Sequence, residues 1–574
     1  MGIPTRCSSL AVGVLAIASA ASAQEPRAGV SRLTHDQAAS DARTFVRLLE
    51  SSHPDPYTNL GGKVEFKRRA AALVADIPSD GLPVESLATR LGMFLAPLKD
   101  AHTRVTPHND VWRGGGGGGG GGSALLAVRF KIASDAIFLA AADIPSLSGH
   151  RGYKVRSVNG QPLSVLLQRL GSQIAAENTL GLYRAMINVL QNADLIRRLA
   201  PPSGALPPQE VVFGLESPNG GRVTRQVGGG GTHPTDPIEW RDPPMQWMGL
   251  DRSNEMFYYR FLDHDRTAYF RVSSMGGREA SEAYYASNIG TKDEIRRTVE
   301  RYHNARGLAV PADLEQGIRA LPSVVEIGWK MLEEMKRKGT DNLIFDLRGN
   351  GGGMTGIIYP VFYAMYGDEY FAKRFPNQST TVASQIYMDK YNLTQASERA
   401  KDPDFEIGEY RFSTTDNMPV SSPDADGLAA WARGRREARL KILRERRHSF
   451  LPMIESLDGK PLYRPKKVVV LCDPATFSAA FQMAFYLHGM GAKLVGVTSA
   501  QSPNTFMEVT PFTLPISGIA GSISNSTQVF MPETPRADRL PVDFEATYAV
   551  FKRYRFDEET ILRYALDRLK AGKI

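Results

Sequence analysis

The pattern of apolar positions changes along the chain and divides it into regions. Up to about residue 98 the pattern is helical: Phe45, Leu48 and Leu49 recur at helical spacing, and so do Leu87, Leu91, Phe94 and Leu95. Nine consecutive glycines, residues 114–122, follow, and such a run loses too much backbone entropy to form a regular element. We therefore predict an N-terminal helical domain over residues 24–113 and a flexible linker over residues 114–123.

The middle region has the pattern of short strands. Residues 124–130 and 136–141 read as strands, and a strand, an Asn159-Gly160 turn and a helix over residues 163–170 follow in order. A second glycine run over residues 228–231 ends this region. We predict a separate module over residues 124–227.

The remainder, residues 228–574, alternates strands with helices. Strands are predicted over residues 267–272, 343–347, 467–471 and 493–497. Helices are predicted from residue 324, after a Ser323-x-x-Glu326 capping box, and over residues 478–487. This alternation predicts an α/β core. Residues 376–466 are charged and aperiodic, which indicates an insertion over one face.

The first 23 residues have the pattern of a secretory signal peptide. Arg6 precedes an apolar run over residues 10–18, and Ala21-Ser22-Ala23 offers small residues for cleavage before Gln24. The expected location is therefore outside the cytoplasm, secreted or periplasmic. Cleavage would remove Cys7 and leave Cys472 as the one cysteine, so no disulfide is expected within the mature chain.

The chain is basic, with 69 Lys and Arg against 61 Asp and Glu, and most of the excess lies in one segment. Eight basic residues fall between Arg433 and Arg447, against Glu437 and Glu445. A solvated helix face is one interpretation, and peripheral contact with an anionic envelope surface is another. Nucleic acid is not an expected partner, because neither zinc-ligand spacing nor aromatic interleaving accompanies the charge.

Two segments carry candidate chemistry, and the first is a glycine loop that follows a strand. Asp346-Leu-Arg-Gly-Asn-Gly-Gly-Gly353 places bare backbone N–H groups where they could bind an oxyanion or a phosphate. A nucleotide loop would continue with Gly-Lys-Ser/Thr, whereas Met354 and Thr355 follow here. The alternative is a tight turn in which Asp346 and Arg348 are paired for structural reasons.

The second segment places Ser478 in the first turn of a helix after a strand, beside the Ala479 N–H. This arrangement fits a nucleophile, although a helix-capping serine is the alternative. A nucleophilic serine needs a base. His488 lies about 15 Å from Ser478 along the same helix, too far to act as its base. His102 is the better candidate, because Asp100 and Thr103 beside it could orient its ring. A structural histidine is the alternative for His102.

Together these motifs resemble the C-terminal processing (tail-specific) serine peptidases, in particular their secreted branch with a tricorn-like core. Residues 346–353 are similar to that family's Asp-Leu-Arg-x-Asn-x-Gly-Gly signature, and Thr476-Phe-Ser-Ala-Ala480 to its nucleophile motif. His53-Pro54, Asp100-Ala-His-Thr103 and Val158-Asn-Gly160 also have counterparts. The resemblance implies a crotonase/Clp-protease-like catalytic core, an N-terminal helical cap and a PDZ-like module over residues 124–227.

The resemblance also implies roles for individual residues. Ser478 is the expected nucleophile, with Ala479 and either Gly351 or Gly352 as oxyanion donors. The family's Ser-Lys members carry a lysine about 25 residues after the serine, but Ala500-Gln-Ser-Pro-Asn504 has none, and Phe481 replaces a frequent glutamate. This departure shifts the expected base to His102. Its acidic partner is expected downstream, and Glu533 and Asp543 are both candidates.

The prediction is therefore a secreted serine endopeptidase that acts on peptide or protein substrates through an acyl-enzyme on Ser478. No cofactor is expected, and the chain has no metal-ligand spacing such as His-Glu-x-x-His. The alternative is a catalytically inactive protein on the same fold that binds a peptide or an apolar ligand, as the interphotoreceptor retinoid-binding proteins do.

Overall fold

The computed structural model describes residues 31–113, 125–202, 207, 210–228, 255–287, 292–414, 425–445 and 448–574. The predicted signal peptide and glycine linker lie outside the described residues, as does most of the second glycine run. Within the described ranges, no helix combines the length and the apolar character needed to cross a bilayer.

The N-terminal region is helical, as its periodicity predicts. It contains strands β1 (Arg32–Leu33), β2 (Leu82–Pro83) and β3 (Arg104–Val105) and helices α1 (His35–Ser52), α2 (Lys63–Ala75), α3 (Val84–Leu95) and α4 (Thr106–Arg113). A capping box between Thr34 and Gln37 begins α1. Phe45 and Leu49 of α1 are buried against Leu87 and Leu91 of α3, so the predicted apolar face is confirmed.

The middle region is an antiparallel sheet with three helices. Its elements are β4 (Val128–Ala133), β5 (Ala136–Ala142), β6 (Lys154–Val158), β7 (Gln161–Pro162), α5 (Leu163–Gly171), α6 (Thr179–Leu190), α7 (Ala193–Leu199), β8 (Val211–Glu216) and β9 (Arg222–Val227). The strand order is β4-β5-β6-β8-β9, with β7 on β6. Asn159 and Gly160 both have positive φ and turn β6 into β7, as predicted. The first strand begins later than predicted, at Val128.

The third region begins with a hairpin and a group of helices: β10 (Phe257–Leu262), β11 (Thr267–Val272), α8 (Arg278–Ser287), α9 (Lys292–Asn304), α10 (Leu314–Arg319), α11 (Val324–Lys338), β12 (Asn342–Asp346), α12 (Tyr359–Tyr366) and α13 (Asp368–Ala372). The predicted insertion follows with β13 (Gln378–Val382), α14 (Gln385–Lys390), α15 (Gln395–Arg399), β14 (Tyr410–Thr414), α16 (Ala425–Glu445) and α17 (Leu451–Glu455). The chain ends with β15 (Lys467–Cys472), α18 (Ala479–Gly489), β16 (Lys493–Gly496), β17 (Asn504–Thr513), β18 (Ala520–Val529), β19 (Phe544–Glu545), α19 (Tyr548–Arg553) and α20 (Thr560–Lys570).

A six-stranded sheet forms the centre of this region, in the order β10-β11-β12-β15-β16-β19. Its strands run parallel except for the β10–β11 hairpin. Strands β12 and β15 are buried, because helices cover both faces of the sheet. Since they are parallel neighbours, the glycine loop after β12 and Ser478 after β15 come out at the same edge. The mixed α/β architecture is as predicted.

A second sheet joins the N-terminal helices to this core. Its order is β14-β13-β18-β17, and β3 pairs with β18 through Val105 and Gly521 and through Arg104 and Ser522. Phe512 and Ile523 of this sheet pack into the apolar core of the N-terminal helices. The loop that carries Asp100 and His102 is thereby fixed against the C-terminal region of the chain.

The basic segment forms most of α16, and several of its cations face the protein. Arg435 donates to the Phe371 carbonyl, Arg436 binds Asp368, and the Arg439 guanidinium lies 4.7 Å from the centre of the Tyr359 ring. These contacts attach α16 to α12 and α13. Arg446 and Arg447 lie outside the described residues, and the envelope contact stays a prediction that rests on the exposed Arg433 and Lys441.

Candidate active site

Ser478 occupies a strained turn between β15 and α18. Its backbone has φ 56° and ψ −123°, in a region that non-glycine residues rarely enter, and its side chain makes no capping hydrogen bond to α18. The alternative of a helix-capping serine therefore does not describe this residue. Its N–H donates to the Gln501 Oε1 at 2.5 Å, which holds the turn in place. Such a sharp strand-to-helix turn presents a hydroxyl at the edge of a sheet.

The glycine loop passes directly against this turn. The Phe477 N–H donates to the Asn350 carbonyl at 2.9 Å. A Cβ on Gly352, whose φ is 103°, would lie 2.6 Å from the Ser478 Cβ and 2.8 Å from the Phe477 carbonyl oxygen. Only glycine allows this approach, because real Cβ atoms do not come that close to other atoms.

The two candidate glycine donors differ. The Gly352 N–H donates to the Asn350 Oδ1 at 2.9 Å, so this hydrogen is already engaged. Gly351 is exposed, and a Cβ placed on it would meet open space. This difference favours Gly351 over Gly352 as the glycine donor, beside Ala479 at the first position of α18, and the oxyanion role stays a prediction.

Asp346 and Arg348 are hydrogen-bonded to each other at the end of β12, where the glycine loop begins. Asp346 is fully buried and accepts hydrogen bonds from the Tyr269 hydroxyl and from both the backbone and the guanidinium of Arg348. Arg348 also binds Glu559 at 2.7 Å. Burial alone would lower the pKa of Arg348, but the two carboxylates raise it above its ordinary value. This network holds the end of β12, as expected for supporting residues.

His102 lies beside the serine turn. Its ring centre is 4.8 Å from that of Phe477, the residue before Ser478, and its carbonyl accepts from the Ser522 hydroxyl of β18. Its Nδ1 is 4.0 Å from Asp100 Oδ1 and 3.9 Å from Glu177 Oε1. The N-terminal region thus brings His102 to the residue before Ser478, and its role as the base of Ser478 stays a prediction.

Asp100 and Glu177 are the two carboxylates that face His102. Asp100 accepts the His102 N–H at 2.8 Å and is 3.2 Å from His53 Nε2. Glu177, just before α6, accepts from the Ser502 N–H and the Thr505 hydroxyl through Oε2. The middle module is fixed here, because Asn178 donates to the Ser499 carbonyl of the same loop. Glu177 was not among the residues predicted from sequence.

Burial controls the protonation of this group. It lowers the pKa of His102 to about 4 and raises the pKa of Glu177 to about 8. Burial alone would raise the pKa of Asp100, but the hydrogen bond from His53 holds it below its ordinary value. At neutral pH the imidazole is therefore uncharged, which is the form that can accept a proton from a serine.

The two downstream acids lie elsewhere. Asp543 is 3.3 Å from His488 and 2.9 Å from Lys493, and His488 lies at the end of α18 opposite to Ser478. Glu533 is exposed in the loop after β18. The expectation that one of them contacts His102 is corrected: among the described contacts, the carboxylates beside this ring belong to Asp100 and Glu177.

Comparisons with known proteins identify a family similarity in the part of the chain that carries the two motifs. Residues 329–519 match the sequence profile of Peptidase family S41, and this segment contains both the glycine loop and Ser478. The match confirms the resemblance that these motifs predict. No curated protein sequence matches the chain.

Among solved structures, mature CPAF complexed with lactacystin is similar over 94% of this chain and 99% of that chain, at 14% identity and a TM-score of 0.51. Mature CPAF alone is similar over 93% and 96%, at 14% identity and a TM-score of 0.50. At this identity the likeness shows a shared fold. The PDZ-like character of residues 124–227 stays a prediction.

Proposed function

We propose that this chain, whose residues 329–519 match the profile of Peptidase family S41, is a serine-type endopeptidase that uses Ser478 as its nucleophile and His102 as its general base. The observation that carries the proposal is the meeting of three separate segments: the strained Ser478 turn, the glycine loop against it and the buried imidazole beside Phe477. A nucleophile, a base and backbone N–H donors are what acyl transfer requires.

The reaction follows from these positions. The neutral imidazole of His102 removes the proton from the Ser478 hydroxyl as its oxygen attacks the peptide carbonyl. The N–H groups of Ala479 and Gly351 bind the oxyanion. The imidazolium then protonates the leaving amine, and water hydrolyses the acyl-enzyme with His102 again as base.

Glu177 takes the part that the sequence expectation gave to Glu533 or Asp543. The distance of 3.9 Å from Nδ1 to Oε1 is longer than a hydrogen bond, and a small rotation of either side chain on substrate binding would form one. Such a bond would fix the tautomer with the proton on Nδ1, which leaves Nε2 free as the acceptor. Asp100 stabilises the imidazolium through its charge.

The experiment is labelling with a serine-directed fluorophosphonate followed by peptide mapping. We expect label on Ser478, and we expect Ser478→Ala to lose about a thousandfold or more in kcat while it stays folded. A Ser478→Ala protein with full activity would contradict the nucleophile. A correctly folded wild type with neither label nor turnover would instead favour the non-catalytic binding protein.

Location and peptide capture complete the proposal. The pattern of residues 1–23 supports export and cleavage before Gln24. An N-terminal sequence of the exported protein that begins at Met1 would contradict it. We further propose that the middle module binds an extended substrate peptide at a strand edge. Equal affinity of the whole protein for peptides with free and amidated C-termini would exclude capture of a terminal carboxylate.

A further inference from the structure

The three side chains around the proposed base form an arrangement that catalysis alone does not require. Nδ1 of His102 lies almost equally far from Asp100 Oδ1 and Glu177 Oε1, and the three atoms lie within 4.8 Å of one another. All three side chains are at least nine-tenths buried, at 7%, 0% and 2% exposed respectively. An imidazole nitrogen and two carboxylate oxygens around one point are ligands that a divalent transition metal prefers.

Each carboxylate is oriented by a protein contact on its outer oxygen. Asp100 Oδ2 receives the Nε2 proton of His53, because His53 Nδ1 accepts the Asp55 N–H and so fixes the tautomer. Glu177 Oε2 accepts from Ser502 and Thr505. The inner oxygens then face His102. Outer contacts of this kind orient the ligands in metal sites.

Two of the three inner atoms lack partners among the described contacts, whereas the third, Asp100 Oδ1, accepts the backbone N–H of His102. Within the described residues, both ring nitrogens of His102 and the Oε1 of Glu177 are buried without a hydrogen-bond partner. Buried polar atoms without partners are uncommon and carry a free-energy cost. Arg113 fixes the backbone on both sides by donating to the Ala101 and Ala175 carbonyls. The unpartnered atoms therefore point from rigid supports into one shared space.

We propose that Asp100, His102 and Glu177 form a binding site for one zinc ion, and that zinc in this site inhibits the enzyme. Ligands at zinc distances in tetrahedral geometry lie about 3.4 Å apart. Side-chain rotations would therefore have to shorten the two separations from His102 Nδ1 by roughly half an ångström and bring the two carboxylate oxygens together from within 4.8 Å. The ion would provide a partner for His102 Nδ1 and Glu177 Oε1, would add a ligand bond to Asp100 Oδ1, which already accepts the His102 N–H, and would leave a fourth position for water.

The inhibition rests on the proposed function, in which His102 is the base. A neutral imidazole that binds zinc through Nδ1 carries its proton on Nε2. Nε2 is then a donor and has no lone pair to accept the Ser478 proton. Zinc would therefore stop the proton transfer without blocking the oxyanion donors or the substrate site, so KM should change less than kcat.

The experiment separates binding from activity. Zinc is titrated into the full chain and into Ser478→Ala by calorimetry, and we expect one ion per chain in both. In the wild type we expect saturating zinc to lower kcat about 100-fold or more, the contribution of a general base, and a chelator to restore it. X-ray absorption of the zinc-loaded Ser478→Ala protein should show one imidazole nitrogen and otherwise oxygen ligands.

Variants locate the ion. Glu177→Gln and Asp100→Asn should each weaken zinc binding about 10-fold or more. The matched control is His488→Ala, which removes an exposed histidine paired with Asp543 and should change neither stoichiometry nor inhibition. A wild type that takes up no zinc, or a bound ion without an imidazole ligand, would overturn the site even if a variant fails to fold.

The two proposals fail in different ways. If zinc binds at these residues but the protein neither hydrolyses peptides nor reacts with the phosphonate, the proposed function is wrong and the site stands. If an active enzyme binds zinc there and keeps its turnover, the inhibition is wrong.

Discussion

A histidine lies beside a carboxylate near each end of helix α18. The difference between these two histidine–carboxylate pairs separates a candidate site from an ordinary surface pair. At the far end, the His488 side chain is 37% exposed, and the carboxylate oxygens of Asp543 have partners in His488, Lys493 and the Leu494 N–H. At the near end, beside Ser478, His102 and Glu177 are buried and keep polar atoms without partners. Exposure makes the first arrangement inexpensive, whereas the second persists only because rigid surroundings hold it.

This contrast shows that residue types alone do not identify chemistry. Both ends offer an imidazole and an acid, yet the strained backbone, the glycine loop and the buried atoms without partners all occur at the Ser478 end. Strain and unsatisfied groups are characteristic of sites where function opposes stability.

Replacing the two histidines should give the largest contrast. We expect His102→Ala to lower kcat about 100- to 10,000-fold, because the general base is removed. His488→Ala should keep kcat/KM within about twofold, since its ion pair is exposed and worth little. Steady-state kinetics on a fluorogenic peptide, with circular dichroism for folding, measures both. Equal losses in the two variants would show that the near end has no special role.

Substitution of Gly352, where the glycine loop comes closest to the Ser478 turn, should give the next largest effect. Gly352→Ala places a methyl group 2.6 Å from the Ser478 Cβ, so the turn must move, and we expect about 1–3 kcal/mol of lost stability together with loss of activity. Gly351→Ala is the matched control. Its new Cβ meets nothing within 4 Å and its N–H is retained, so it should stay near wild type.

Chemical denaturation and phosphonate labelling would measure these two glycine variants. A stable and fully labelled Gly352→Ala protein would show that the serine turn does not depend on this contact, and the assembled site would have to be revised.

Local patterns predicted the parts of the molecule that depend on short stretches of chain. The buried strands, the Asn159-Gly160 turn and the α11 capping serine, Ser323, follow from periodicity and turn chemistry, and the structure contains them. The Ser478 turn was predicted because a strand, small residues and a helix adjoin in sequence. His102 needed the family resemblance, because no local pattern connects it to residue 478.

The remaining site residues depend on docking between regions, which a single sequence does not encode locally. Glu177 reaches His102 because Asn178 binds the Ser499 carbonyl and fixes the middle module there. Gln501 lies in the segment that lacks the lysine of the Ser-Lys members, and its side chain accepts the Ser478 N–H, a contact that no local pattern predicts. Asp543 was a candidate by its order in the chain, and pairing of β19 with β16 places it near Leu494 instead.

The smallest effects should come from neutralising the carboxylates at the two ends of α18, Glu177 beside Ser478 and Asp543 at the far end. Glu177→Gln keeps the shape of the side chain but removes its ionised form, which burial confines mainly to alkaline pH by raising the pKa of Glu177 to about 8. We therefore expect a lower kcat, chiefly above about pH 8, with a smaller loss than in His102→Ala. Asp543→Asn should leave kcat unchanged and lower the free energy of unfolding by about 1 kcal/mol, because the Leu494 N–H and Lys493 lose an ionised acceptor. Parallel kinetics and urea denaturation test the pair. If Asp543→Asn lowered kcat more than Glu177→Gln did, the downstream acid would act on the base after all, and the two ends of α18 would be coupled through the helix.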